Sequence, residues 1–179
     1  MSRIDLLPPS EFREIHLLPG DFYFGGGAVR LVTLLGSCVA VILWHPYLRI
    51  GGMCHYMLPA RGHGRMAEPD GRYAEEAMEL FRREVMRTGA PFSEYRAHLF
   101  GGGNMFSSRP APAIQNVSSR NVEAARRLTT HLGLTVEVEH LGGIGYRKLA
   151  FDLWSGETSL FHRPNLIDFS PAEKRSKTA

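Results

Sequence analysis

Thr33-Leu34-Leu35-Gly36-Ser37-Cys38-Val39-Ala40-Val41, followed by Gly51-Gly52-Met53-Cys54-His55-Tyr56-Met57-Leu58-Pro59, decides how this chain is read. Each stretch has the apolar, partly β-branched character of a strand. Trp44-His45-Pro46-Tyr47 lies between them and is turn-like. Cys38 follows a Gly-Ser step in the first stretch, and His55 lies seventeen residues later in the second. If the two strands are neighbours, the thiol and the imidazole can face each other. That pair is the minimal unit of cysteine nucleophilic catalysis.

Each residue also has a plainer reading. A cysteine in an apolar strand is usually a small buried hydrophobe. The Gly36-Ser37 step shifts the balance for Cys38, because a tight turn there exposes the thiol and turns backbone N–H groups toward a developing oxyanion. A strand histidine is usually structural. His55 follows Gly51-Gly52, near the presumed partner of the Cys38 strand, and this makes it the best base among eight histidines. His45, beside Pro46, reads as a turn residue. Thr33 is a candidate to orient His55 through its hydroxyl, and equally an ordinary β-branched strand residue.

Outward from this centre, strands are expected at Glu14–Leu18, Ala28–Leu35, Val39–Trp44, Arg49–Leu58, Tyr95–Phe100 and Leu134–His140, with a hairpin of Tyr146–Leu153 and Thr158–His162. Phe22-Tyr23-Phe24 reads as an aromatic cluster beside a Gly25-Gly26-Gly27 hinge. Tyr73–Thr88 has Ala74, Ala77, Met78, Phe81 and Val85 on one helical face, with Asp70 as candidate N-cap and Gly89 as stop. Asn121–Leu132 is a second amphipathic helix with Val122, Ala125, Leu128 and Leu132 inward. Ser118, Ser119 or Asn121 would cap it and Gly133 would end it. Ser107–Pro112 reads as a loop. The expected fold is α+β: a single-domain layered α/β sandwich with a mixed β-sheet and two main helices.

A chain of 179 residues suits one domain, and 44% apolar with 22% charged residues is ordinary for a soluble globular protein. A formal net charge of +3 is too small to imply nucleic acid. No basic segment followed by a long apolar run opens the chain, and no run is long enough to span a bilayer, so a reducing cytoplasm is expected. The two cysteines, Cys38 and Cys54, are then free thiols, although neighbouring strands would also permit a disulfide. Cys54, His55 and His63 show neither a CxxC pair nor an HExxH helix, so no metal is expected. Gly101-Gly102-Gly103-Asn104 lacks the Gly-Lys-Ser/Thr ending of a phosphate loop and better suits backbone held close to a peptide or an active site.

In order along the chain, Thr33-Leu-Leu-Gly-Ser-Cys38-Val-Ala-Val, Gly51-Gly-Met-Cys-His55-Tyr-Met-Leu-Pro59, Phe100-Gly-Gly-Gly-Asn-Met-Phe106, Asn116-Val117, Arg120-Asn121-Val122 and Leu141-Gly-Gly143 with Arg147 resemble the CheD family of chemoreceptor glutamine deamidases. The resemblance runs from about Leu17 to about Phe161. It implies a cytoplasmic amidohydrolase acting on glutamines of methyl-accepting chemotaxis receptors, on a sandwich fold related to deamidating bacterial toxins. The family nucleophile falls on Cys38, the histidine on His55 and the threonine on Thr33. Gly36, Ser37, Asn104 and Phe106 are the substrate-binding candidates. No cofactor or metal is implied. The implied partners are receptor cytoplasmic domains and, in some bacteria, a CheC-type phosphatase, with neither nucleic acid nor direct membrane insertion. The expected organisation is an arm over 1–16, the deamidase domain over 17–162 and a basic tail over 163–179. The same acyl chemistry would serve a receptor methylesterase. A cysteine protease would share the dyad, and a non-catalytic chemotaxis adaptor would keep the surface without needing Cys38.

Overall fold

Every residue of Val39–His45 is buried, because this strand runs through the middle of the molecule with a packed layer on each face. The computed structural model describes residues 9–62, 68–105 and 112–164, with side chains of the last segment described from 117 onward. In chain order the elements are β1 (Arg13–His16), β2 (Phe22–Gly26), β3 (Val29–Leu35), β4 (Val39–His45), β5 (Ile50–Tyr56), α1 (Ala74–Thr88), β6 (Arg96–Gly101), α2 (Pro112–His131), β7 (Thr135–Leu141), β8 (Tyr146–Asp152) and β9 (Thr158–Arg163), with a 3-10 turn at Phe92–Glu94.

The strands form two sheets, ordered β1-β3-β8-β9 and β2-β5-β4-β6-β7. Each is mixed, with β1 parallel to β3 and β6 parallel to β7. The period of two along β4 divides its side chains between two cores. Ala40, Ile42 and Trp44 join Leu31, Leu35, Met53, Leu149 and Phe151 between the sheets. Val39, Val41 and Leu43 join Cys54, Tyr56 and the buried residues of α1 and α2 on the other side. The architecture is therefore sheet, sheet, helices. The expected α+β layered sandwich is present, and its strands are shared between two sheets rather than gathered in one.

Helix α1 follows its apolar stripe, burying Ala74, Ala77, Met78, Phe81 and Val85 and ending at Gly89 in the left-handed region. Asp70 is not its cap. The N-cap is Tyr73, without a side-chain bond, while the Asp70 carboxylate holds Arg72 at 2.6 Å. Helix α2 begins at Pro112, nine residues before the expected start, so Ser118, Ser119 and Asn121 are helix-interior residues and not caps. Its buried face is also turned, toward Ser118, Asn121, Ala124, Ala125 and Thr129. Val122 and Leu128 are only half-buried. Phe22–Gly26 is an edge strand paired with β5, so two of the three supposed hinge glycines lie inside a strand. His45 is no turn residue; it closes β4, is buried, and sets Nε2 3.0 Å from Glu94.

Candidate active site

The antiparallel pairing of β4 and β5 sets Ala40 opposite His55 and ends at Val39 opposite Tyr56. Side chains directly opposite in such a pair share a face. His55 therefore shares the inter-sheet face with Ala40. Cys38, two residues before Ala40, packs against the same inter-sheet core. It stands just beyond the last rung, diagonal to His55 in the register. Cys54 has the opposite parity and is wholly buried in the helix-side core. Both cysteines are free, and although their strands are neighbours a disulfide has the whole sheet between its ends.

From the other sheet, β3 presents Thr33 between the layers while Leu34 points out to solvent. Thr33 Oγ1 lies 2.8 Å from His55 Nδ1 and donates its hydrogen to the Leu17 carbonyl at 2.8 Å. A hydroxyl has one hydrogen, so toward His55 it accepts. This places the imidazole proton on Nδ1 and leaves Nε2 bare. Nε2 is buried and has no hydrogen-bond partner. Burial lowers the His55 pKa, with the Leu17 carbonyl and Asp21 acting the other way, so the ring is neutral at pH 7. Burial raises the Cys38 thiol, and its own backbone N–H partly offsets this. The resting pair is a neutral thiol and a neutral imidazole.

The turn holding Cys38 is pinned at both preceding carbonyls. Gly103 N–H donates to Gly36 O at 2.8 Å, and the Asn121 side-chain amide donates to Ser37 O at 3.1 Å. Gly102 N–H donates to the Cys38 carbonyl at 2.7 Å. In a trans peptide the N–H points opposite to the C=O. Tying the Gly36 and Ser37 carbonyls inward therefore turns the Ser37 and Cys38 N–H groups the other way, as an oxyanion hole requires. Gly101, at φ +113°, comes so close that a Cβ there would sit 2.2 Å from the Cys38 carbonyl oxygen. The glycine run is backbone held against the thiol turn, as its sequence suggested.

Asn104 stands beside this turn, its N–H donating to Gly143 O and its carbonyl accepting from Gly145 N–H. It lines one end of a groove of about 1010 Å³ that continues along α2 past Ser119, Glu123 and Arg127. A smaller cleft of about 480 Å³, walled by Leu17, Leu18, Pro19 and Val32, reaches His55 from the other side. Phe106 lies outside the described residues. Sequence reasoning missed the Leu17 carbonyl, which no side-chain pattern reveals, and the contact of Asn121 with the turn. A signal for the latter existed: Asn121 shares a helical face with Ala125, and a polar residue on a buried stripe needs a partner.

A half-buried thiol and a buried imidazole hydrogen-bonded to a hydroxyl, gathered between the two sheets of a layered α+β domain, are groups of the kind a thiol-dependent hydrolase uses. The family model for CheD, described as CheD chemotactic sensory transduction, matches residues 57–161. A "probable chemoreceptor glutamine deamidase CheD 3" of Dechloromonas aromatica is 49% identical over 85% of this chain and 89% of its own length. A "probable chemoreceptor glutamine deamidase CheD" of Pseudomonas savastanoi pv. phaseolicola is 48% identical over 96% of this chain and 97% of its own. A "probable chemoreceptor glutamine deamidase CheD 1" of Leptospira interrogans is 35% identical over 85% of this chain and 94% of its own length. This chain belongs to the CheD family.

Proposed function

We propose that this protein hydrolyses side-chain amides of specific glutamines in chemotaxis receptors, with Cys38 as nucleophile, His55 as acid and base, and Thr33 orienting His55. One observation carries the reading: the Leu17–Thr33–His55 chain of hydrogen bonds leaves a bare Nε2 on the sheet face where Cys38 stands. In the first step the Cys38 sulfur attacks the carboxamide carbon while His55 Nε2 takes the thiol proton. The Ser37 and Cys38 N–H groups bind the oxyanion. His55 then returns that proton to the departing nitrogen, which leaves as ammonia, and a thioester remains. Water gives a proton to His55 and attacks the thioester. Glutamate is released, and the proton goes back to the Cys38 sulfur.

Thr33 acts without touching substrate. Its hydroxyl fixes the tautomer and stabilises the imidazolium that forms between the two proton transfers. Gly36 and Ser37 form the turn that presents the Ser37 and Cys38 donors, and Asn104 and Phe106 bind the substrate segment. A glutamate methyl ester would form the same thioester with methanol as leaving group, so receptor methylesterase activity belongs to the same proposal. A CheC-type phosphatase is the proposed further partner, and the cytoplasm, where receptor signalling domains lie, is the proposed location. Among the described residues no helix is long and apolar enough to cross a membrane.

Intact and peptide mass spectrometry of a receptor cytoplasmic fragment tests the reading. Wild-type protein should add about one dalton at each modified glutamine, the difference between a carboxamide and a carboxylic acid, and Cys38→Ala should add none. Equal turnover by Cys38→Ala would overturn the mechanism.

A further inference from the structure

The β4–β5 ladder stops one residue short of the place where the chemistry needs it. Its last rung joins Val39 to Tyr56, so the peptide before Cys38 and the chain after His55 have no strand bonds to each other. A side chain from a third element spans this gap. Asn121, in the interior of α2 and wholly buried, donates from one amide nitrogen to Ser37 O at 3.1 Å and to Met57 O at 2.7 Å. The Asn121 backbone carbonyl accepts the Tyr56 hydroxyl at 2.6 Å, so the helix is itself tied to the residue after His55. Two carbonyl acceptors settle which end of the amide faces the gap, since only the NH2 group donates. The oxygen faces away, buried and without a partner. A buried amide that leaves its acceptor unsatisfied carries a cost, and such a group calls for an explanation.

We propose that Asn121 is a positioning residue, whose amide replaces the missing rung of the β4–β5 ladder and thereby sets both the Cys38 turn and its N–H donor against His55. The Ser37 carbonyl and the Cys38 N–H belong to one rigid peptide unit. Holding the carbonyl toward Asn121 aims the N–H at the other side, where the oxyanion forms. The second bond, to Met57, ties the same amide to the strand that carries His55. One side chain thus fixes nucleophile, oxyanion donor and base relative to one another. Removing it should lower kcat and leave the binding of a receptor segment nearly unchanged, because the lost geometry matters most in the transition state.

The test uses the full chain with Asn121→Ala and Asn121→Asp, and two readouts. The first is deamidation of a receptor fragment, resolved into kcat and KM. The second is the alkylation rate of Cys38 by iodoacetamide as a function of pH, which needs no receptor. Asn121→Ala should lose about tenfold or more in kcat with KM within about twofold, since one misplaced donor is worth up to 10²–10³. The pH profile of Cys38 alkylation should move as well. Asn121→Asp retains the size of the side chain but donates only when protonated. The ratio of its kcat to that of wild type should therefore rise as pH falls, since protonation of His55 lowers both alike and cancels, a trend that a merely structural role would not create.

The proposal is overturned if folded Asn121→Ala keeps wild-type kcat and an unshifted alkylation profile. If Asn121→Ala fails to fold, Asn121→Asp decides, and a kcat ratio to wild type that stays flat as pH falls overturns the proposal. The inference rests on the deamidase reading only for the first readout. A wild-type protein that deamidates no receptor, with a Cys38 profile still sensitive to Asn121, would sink that reading and leave the positioning role standing.

Discussion

The two cysteines of this chain sit on opposite faces of one pair of strands, and their surroundings could hardly differ more. Cys54 is sealed under α1 and α2 with Tyr56, Met78 and Phe81 in its core, and burial pushes its thiol up to about 12. Cys38 stands past the end of the ladder, half-exposed, with a bare imidazole nitrogen on its own face of the sheet. Both thiols are raised by burial and partly relieved by backbone N–H groups, but Cys38 alone of the two packs on the inter-sheet face that carries His55. The difference is one of parity. A shift of one residue in the β4–β5 register would exchange the faces of these side chains, so the pairing itself selects which thiol shares the face of His55.

The largest expected effect separates the two thiols directly. Cys38→Ala should lower receptor deamidation by on the order of 10³ or more, since a nucleophile has no substitute. Cys54→Ala should retain turnover and lose on the order of 1 kcal/mol of stability, as a small buried group is removed. If Cys54→Ala is the inactive variant in the mass-spectrometric assay, the assignment by parity fails. Thiol counting sharpens the same contrast. Iodoacetamide on the native protein should modify Cys38 and spare Cys54, and both should react in denaturant. Native labelling of Cys54 would show that the helix layer does not seal that face.

A smaller effect belongs to Thr33, whose hydroxyl reaches His55 across the gap between the sheets. Thr33→Val retains the shape and removes the hydroxyl through which the Leu17 carbonyl and His55 Nδ1 are joined. Stability should drop by about 1–3 kcal/mol. The variant should also lose part of the ~10²–10⁴ that acid–base catalysis supplies, while Thr33→Ser should recover most of both. Equal kcat for Thr33→Val and wild type would show that the tautomer needs no help from this hydroxyl.

The smallest effect is a pH dependence of stability. The folded protein holds the His55 pKa below its ordinary value, so the unfolded chain takes up a proton first as pH falls. Unfolding binds that proton, and stability from this group, complete above about 6.5, is lost below it until the folded ring also titrates. His98 and His140 are lowered in the same direction. The fall in Tm between pH 7 and pH 5 should therefore be shallower in His55→Gln than in wild type. An identical slope would remove His55 from the account.

Much of this was legible in the residues. The apolar stripe of α1, its glycine stop, the β8–β9 hairpin and the two central strands follow from periodicity and turn chemistry, which are local properties. The order of Cys38, His55 and the glycine run was enough to point to the CheD family. Other features were misread for a common reason. Asn121 looked like a cap because Ser and Asn commonly begin helices, and its true partners, Ser37 and Met57, are 84 and 64 residues away. Gly25 and Gly26 looked like a hinge because glycine is flexible, yet pairing with β5 holds them in a strand. Arg147 entered only by resemblance. It proves to be a buried guanidinium donating to His140 Nδ1 at 2.9 Å and to the Gly142 carbonyl.

The sequence by itself determined the elements, the layered class and the pair of groups that could do acyl chemistry, because hydrophobic period and turn residues act over a few neighbours. Only the tertiary structure decided that the strands divide into two sheets, that Thr33 from one meets His55 from the other, and that an amide from α2 closes the gap behind Cys38. Those contacts join residues far apart in the chain, and their geometry follows from register and layer packing, which no local pattern specifies.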